Sequence, residues 1–324
     1  MYHRLVRAWL WANALVAVAI GAPLSHAQAE DYPARPITMI VPYPPGGGVD
    51  LIGRLVAQKL TAALGQQVIV ENRGGAGGVI GTRDLAKAIP DGYTIGVGTS
   101  GNGLSANAGY DVNRDFSPIG LIASTSILIV SHPSFPAKSL AEVIALAKQQ
   151  PGKLSAGTPP APTTNYFAAE LFKLTAGVDV TVVTYKGTAP LTNDLLGNHI
   201  PFGFDTIPAA VSNVQAGQLR AIAVTGPTRS AALPDVPTAA ESGLPGFDAV
   251  IYYGLTAPAG VPRPIIDRLN KELRTMLADE DFKNHLISIG DDPAPTTPEQ
   301  YAENIKREEA KWAALVAKLG LKIE

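Results

Sequence analysis

Val41–Asp50 reads VPYPPGGGVD. An apolar run, Pro36–Tyr43 (PITMIVPY), ends at two prolines; three glycines follow, then an acidic residue and a helical pattern. Leu51, Ile52, Leu55, Val56, Leu60 and Leu64 recur at three- and four-residue steps, so Val49–Leu64 is expected to be a helix with one buried face. Gly65 stops it. Strand, glycine turn and helix start form a layout that suits an anion. The first turn of a helix presents N–H groups and about half a positive charge, and glycine puts no Cβ in the way of a ligand. On the residues alone, Pro44–Gly48 is either such a site or only a tight turn.

Outward from this stretch, short apolar runs alternate with helical periodicity. Val68–Val70 and Tyr93–Val97 read as strands around a helix at Ile80–Ala88. Ile127–Val130 is a further strand, followed by a helix at Ser139–Gln149 with Ser139 as N-cap and Glu142 at the capping-box spacing. Strands at Leu154–Ala156, Val180–Val183, Phe202–Phe204 and Leu219–Thr225 and helices at Tyr166–Leu174 and Ala189–Leu196 repeat the rhythm. Strand–helix alternation of this kind implies parallel sheets covered by helices. A proline- and glycine-rich stretch then reads as a long ordered loop, Tyr252–Ala257 as a strand, and Arg263–Leu277 and Pro298–Leu319 as amphipathic helices. The reading is two α/β blocks, about 31–130 and 131–250, with a helical tail that returns to the first block. Such a chain crosses between blocks twice, which makes a hinge with a cleft.

The first 29 residues carry a basic start (His3, Arg4, Arg7), an apolar run at Ala8–Ala22, and Ala27 and Ala29 in an A-x-A arrangement. They read as a secretory signal peptide, with an N-terminal anchor or a buried helix as the alternative. No later stretch approaches 18 apolar residues, so the exported chain is expected to be soluble. The net charge of −2 and the lack of a basic run argue against nucleic acid. Cysteine is absent, which removes thiol catalysis, disulfides and zinc–thiolate sites.

Other chemistries find little support. The glycine turn lacks the lysine of G-x-x-x-x-G-K-[ST], so a triphosphate is not expected. Gly96, Gly98 and Gly101 match G-x-G-x-x-G after a strand, but no helical periodicity follows them to hold a pyrophosphate. Beyond the signal region the histidines, His132, His199 and His285, are scattered, and there is no G-x-S-x-G or H-E-x-x-H. A periplasmic hydrolase with a triad assembled from distant residues stays open as an alternative. No cofactor and no metal are expected.

The motifs also occur in a recognisable order. VPYPPGGGVDLIGRLVAQKL, LGQQVIVENRGGAGGVIGT, AIPDGYTI, YDVNRDFSPIGLI, VVTYKGTAPLTNDLLG, AGQLRAIAVTG, LPDVPTAAESGLPGF and EEAKWAALVAKLG together resemble the Bug-type, or TctC-like, periplasmic solute-binding proteins of tripartite tricarboxylate transporters. The resemblance covers nearly all of 31–324. It implies a two-lobed periplasmic-binding-protein (Venus flytrap) α/β fold with two chain crossings, 31–130 plus 251–324 forming one lobe and 131–250 the other. It implies a monomer that binds a small carboxylate and delivers it to membrane transporter subunits, with a sensor kinase as an alternative partner. Carried over by position, the first lobe offers Tyr43, Pro45, Gly46, Gly47, Asp50, Thr99, Ser100 and Asn102. The second offers Gly157, Thr158, Thr163, Thr164, Asn165, Tyr185 and Asp205. Asp50 also suits a capping role near the helix N-terminus, where its charge is favoured, and Lys186 suits either a ligand charge or a solvated turn. The sequence departs from the family pattern at Pro159–Pro160, at Asn165 where histidine is usual, and at Tyr252–Tyr253 where tryptophan is common.

Overall fold

The computed structural model describes residues 32–100, 104 and 108–323; the expected signal peptide and Asn102 lie outside them. From Pro33 onward the chain forms one compact unit. The opening stretch folds as strand β1 (Ile37–Val41), a turn, and helix α1 (Gly48–Leu64), which buries Ile52, Val56 and Leu60 and ends at left-handed Gly65. Then come β2 (Val68–Asn72), a 3-10 turn at Ala76–Gly78, α2 (Val79–Ala86), β3 (Thr94–Thr99) and β4 (Phe116–Ser131). A second run follows: α3 (Leu140–Gln149), β5 (Ser155–Thr158), α4 (Thr164–Ala176), β6 (Thr181–Thr184), α5 (Thr188–Leu196), β7 (Phe202–Thr206), α6 (Ile207–Gln215) and β8 (Arg220–Val224). The chain closes with β9 (Val250–Pro258), α7 (Arg263–Ala278), α8 (Glu280–Ser288), β10 (Asp292–Pro293) and α9 (Pro298–Leu319).

The strands run in the order β2-β1-β3-β9-β4-β7-β5-β6, with β10 and β8 also pairing with β4. β1 is parallel to β2 and β3, and β5 to β6 and β7, as strand–helix alternation predicts. β4 and β9 are antiparallel to their neighbours. β4 runs from one half of the sheet into the other, and β9 receives the chain on its return. β4 pairs with β9 through Ser126 and with β7 and β8 from Ile127 or Leu128 onward. Buried Thr225 ties the outgoing and returning chains: it bonds to the backbone of Ile127 and accepts the Ala249 N–H at 3.0 Å on its carbonyl.

The tail packs on the β4–β9 half. Asn270 donates to the carbonyls of Ile119 (2.7 Å) and Thr296 (2.8 Å), and the Tyr301 ring fills the space over Gly254 that a Cβ would occupy. Trp312 of α9 reaches further and stacks on Phe167 of α4 with ring centroids 5.5 Å apart.

Three elements differ from the sequence reading. β4 is 16 residues long rather than the four of ILIV; Pro118 and Gly120 look like breakers, but the β4–β9 register shifts between them, where a missing ladder N–H is tolerated. Helix α6 begins with Pro208 in its first turn, a position that needs no intrahelical N–H. Helix α8 is capped by Asp279, which accepts the Phe282 N–H at 3.0 Å. Ser139 caps α3 as expected, but the Glu142 carboxylate takes the Lys138 N–H rather than that of Ser139. Among the described residues no helix is long and apolar enough to cross a membrane.

Candidate functional site

The glycine turn is held from below. Asp50, buried in the first turn of α1, accepts the Gly46 N–H at 2.9 Å, Arg54 Nε at 3.1 Å and Asn72 Nδ2 at 2.8 Å. Asn72 also donates to the Tyr43 carbonyl at 3.1 Å, which ties the end of β2 to the end of β1. Burial pushes the Asp50 carboxyl up, but the bonds from Arg54, Gly46 and Asn72 outweigh it and hold the group below the usual aspartate range. Its two oxygens are therefore engaged beneath the turn, and Asp50 does not face the cavity above.

That cavity encloses about 550 Å³, its mouth included, and lies over the start of α1. The N-cap, Gly47, supplies no side chain to the first turn, and the first N–H groups of a helix have no intrahelical acceptor. Three hydroxyls crowd this end. A methyl group placed on Gly47 would lie 2.8 Å from Thr188 Oγ1; one on Gly48 would lie 3.0 Å from Thr206 Oγ1 and 3.1 Å from Tyr253 Oη. All three oxygens are buried without a hydrogen-bond partner among the described residues. Buried hydroxyls in proteins are normally paired, and each left alone costs about 1–3 kcal/mol. Three of them aimed at an uncapped helix start make a donor-rich cradle for an anion.

Of the residues carried over from the resemblance, Tyr43, Pro45, Gly47, Thr99, Thr163, Thr164 and Asn165 line this cavity. The Tyr43 and Thr99 hydroxyls lie 2.7 Å apart on one wall. On the other, Thr163 caps α4 by accepting the Tyr166 N–H, and Asn165 spends Nδ2 on the Phe204 carbonyl at 3.1 Å. Ser100 lies behind the wall, bonded to Thr164. Gly46 is directed at Asp50. Gly157 and Thr158 are packed inside the second half, where a Cβ on Gly157 would strike Leu191. Tyr185 turns from the cavity and donates to Asp194 at 2.9 Å; burial, then Asp194, push its phenol up to about 12.

Asp205 is also behind the cavity wall. It is fully buried, 2.6 Å from Thr192 Oγ1, and accepts the Thr206 N–H at 2.7 Å. Burial, the largest effect, pushes its carboxyl up to about 7, and the Thr206 N–H bond opposes it.

Sequence reasoning did not reach Thr188 or Thr206, and it noted Tyr253 only within the Tyr252–Tyr253 departure from the family pattern. Thr188 follows the YKG turn directly, and Thr206 is the N-cap of the unrecognised helix α6, so both had a local signal. For Tyr253 the signal was that departure, which does not say that its hydroxyl faces the helix start. The cavity opens past Pro44, Pro45 and Pro159 into an outer compartment of about 980 Å³, bordered by Gly74–Gly78 and by exposed Lys186.

The model of the tripartite tricarboxylate transporter family receptor, TctC, matches residues 52–321. Protein BugT of Bordetella pertussis is 35% identical over 316 residues, 96% of each chain. Among solved structures, R. palustris Rpa4515 with adipate superposes with a TM-score of 0.87 at 34% identity, covering 90% of this chain and 99% of that one. The periplasmic binding protein BugD gives 0.84 at 35% identity, covering 89% and 99%.

Proposed function

The chain belongs to the tripartite tricarboxylate transporter family of receptors, and from that premise we propose that it captures a small carboxylate at the start of α1 and hands it to the membrane subunits of a tripartite transporter. Its family is one of periplasmic binding proteins, receptors rather than enzymes. The observation that carries the ligand reading is the uncapped helix start ringed by the hydroxyls of Thr188, Thr206 and Tyr253. It fits an anion. The relative solved with adipate supports the same class of ligand.

In this reading the two halves of the sheet are the lobes, 31–130 with 251–324 and 131–250, and the crossings at β4 and before β9 are the hinge. The carboxylate binds residues of both halves, Gly47–Val49 on one side and Thr188 and Thr206 on the other, so occupancy favours the closed arrangement. Residues 1–29 act as the export signal.

Thermal unfolding in the presence of a carboxylate panel that includes adipate tests this. A ligand at a hundred times its Kd adds about 2.7 kcal/mol of stability, so a binder raises Tm by several degrees and its amide does not. If no carboxylate in the panel moves Tm, the proposal falls.

A further inference from the structure

Asp205 is fully buried, and no lysine, arginine or histidine among the described residues bonds to it. An isolated buried carboxylate is costly, and such a group normally takes up a proton instead. The hydrogen bonds agree with the neutral form. The Thr192 hydroxyl lies 2.6 Å from Asp205 Oδ2 and 3.0 Å from the Thr188 carbonyl, yet it has one proton. If Asp205 is the acid, it donates to Thr192 Oγ1, Thr192 donates to the Thr188 carbonyl, and Oδ1 still accepts the Thr206 N–H. Every bond is then satisfied. If it is ionised, the single Thr192 proton is contested.

Both partners lead to the anion cradle. Thr206, whose N–H Asp205 holds, puts its own hydroxyl beside Gly48; Thr192 holds the carbonyl of Thr188, whose hydroxyl lies beside Gly47. The titratable groups facing this region from other elements are Tyr253 on β9, Asp291 before β10, and Tyr43 after β1. Burial first, then Asp291, Tyr43 and Asp205, push the Tyr253 phenol well above its ordinary value, so it stays a donor near neutral pH. Burial likewise holds Asp291 well above the aspartate range. None of these is a cation that would stabilise an ionised Asp205, and a ligand carboxylate in the cradle would disfavour it further.

We propose that Asp205 is a positioning residue for capture: as a neutral acid it holds Thr188 and Thr206 against the helix start, and its ionisation loosens the ligand. The proposal rests on the carboxylate reading of the cavity. Burial pushes the Asp205 carboxyl up to about 7, and a bound anion pushes it higher, so binding takes up protons near neutral pH. Above that midpoint affinity falls by up to about tenfold per pH unit.

The test is calorimetry from about pH 6 to about pH 8.5, where free carboxylates of the ligand are ionised throughout, using adipate and each panel member that raises Tm. Two buffers of different ionisation heat report proton uptake. The wild type should lose affinity with rising pH and take up protons on binding. D205N, whose amide reproduces the neutral acid, should lose the slope and the uptake. T192V removes the hydroxyl that accepts the proton of the neutral acid, so it should shift the affinity loss to lower pH; it serves alone if D205N fails to fold. A flat profile in a wild type that binds, a D205N variant that keeps the wild-type slope, or an unmoved midpoint in T192V overturns the proposal. If no probe binds at any pH, the carboxylate reading itself has failed.

Discussion

Thr164 donates its hydroxyl proton to the Ser100 carbonyl at 2.8 Å, and the two side-chain oxygens lie 3.2 Å apart. Ser100 follows β3 and Thr164 opens α4, so this pair joins the two halves of the sheet beside the cavity. With its proton given to the carbonyl, Thr164 accepts from Ser100, whose oxygen in turn accepts the Tyr252 N–H at 3.4 Å. T164V keeps the shape and deletes the bridge. A part-buried hydrogen bond of this kind contributes about 1 kcal/mol, so the Kd of a bound carboxylate should rise roughly five- to tenfold by calorimetry. An unchanged Kd would show that the bridge does not bias the closed arrangement.

Asp50 should prove structural. Its removal leaves the Gly46 N–H, Arg54 and Asn72 without their acceptor, a loss of about 2–3 kcal/mol. D50A should therefore lower Tm by roughly 5 °C. The Asp50 carboxyl is held below its ordinary value of 3.8. Its contribution is then complete above that value and is lost as pH falls through the lower folded one. D50N should weaken this acid limb of the stability profile; if wild type and D50N lose stability in parallel on acidification, Asp50 is not the group responsible.

Gly47 has φ −87° and ψ 169°, a conformation open to alanine. Its Cβ would enter the cradle 2.8 Å from Thr188 Oγ1. G47A is thus expected to weaken carboxylate binding at least tenfold while the ligand-free Tm moves by no more than about 2 °C. The two readouts separate a blocked site from a broken turn, and binding at wild-type strength would move the site away from the helix start.

Tyr253→Phe removes a buried hydroxyl that has no partner among the described residues. Deleting such a group relieves an uncompensated desolvation of about 1–3 kcal/mol. Without ligand, Y253F should be at least as stable as the wild type; with ligand, its Tm rise should be smaller. A variant that is less stable without ligand and retains the full ligand shift would show that the hydroxyl serves the fold.

Much of the local structure was legible because local rules produce it. The spacing of Ile52, Val56 and Leu60 reports the buried face of α1, and Gly65 its left-handed end. α9 begins and ends at the residues its periodicity marks, Pro298 and Leu319. Two prolines sit inside elements that the sequence reading cut short or left out: Pro118 at a register shift in β4 and Pro208 in the first turn of α6, each a place where no N–H is missed.

The site divides along the same line. By itself the sequence determined that a strand, a glycine turn and a helix start follow one another at 41–50, because backbone freedom and side-chain period are properties of neighbouring residues. The tertiary structure decided what faces that helix start. Thr188, Thr206 and Tyr253 stand on three separate elements, and Asp50 finds Asn72 through the parallel register of β1 and β2, in which Val41 lies opposite Asn72. Strand register over long sequence separations governs both, and no local pattern in the chain encodes it.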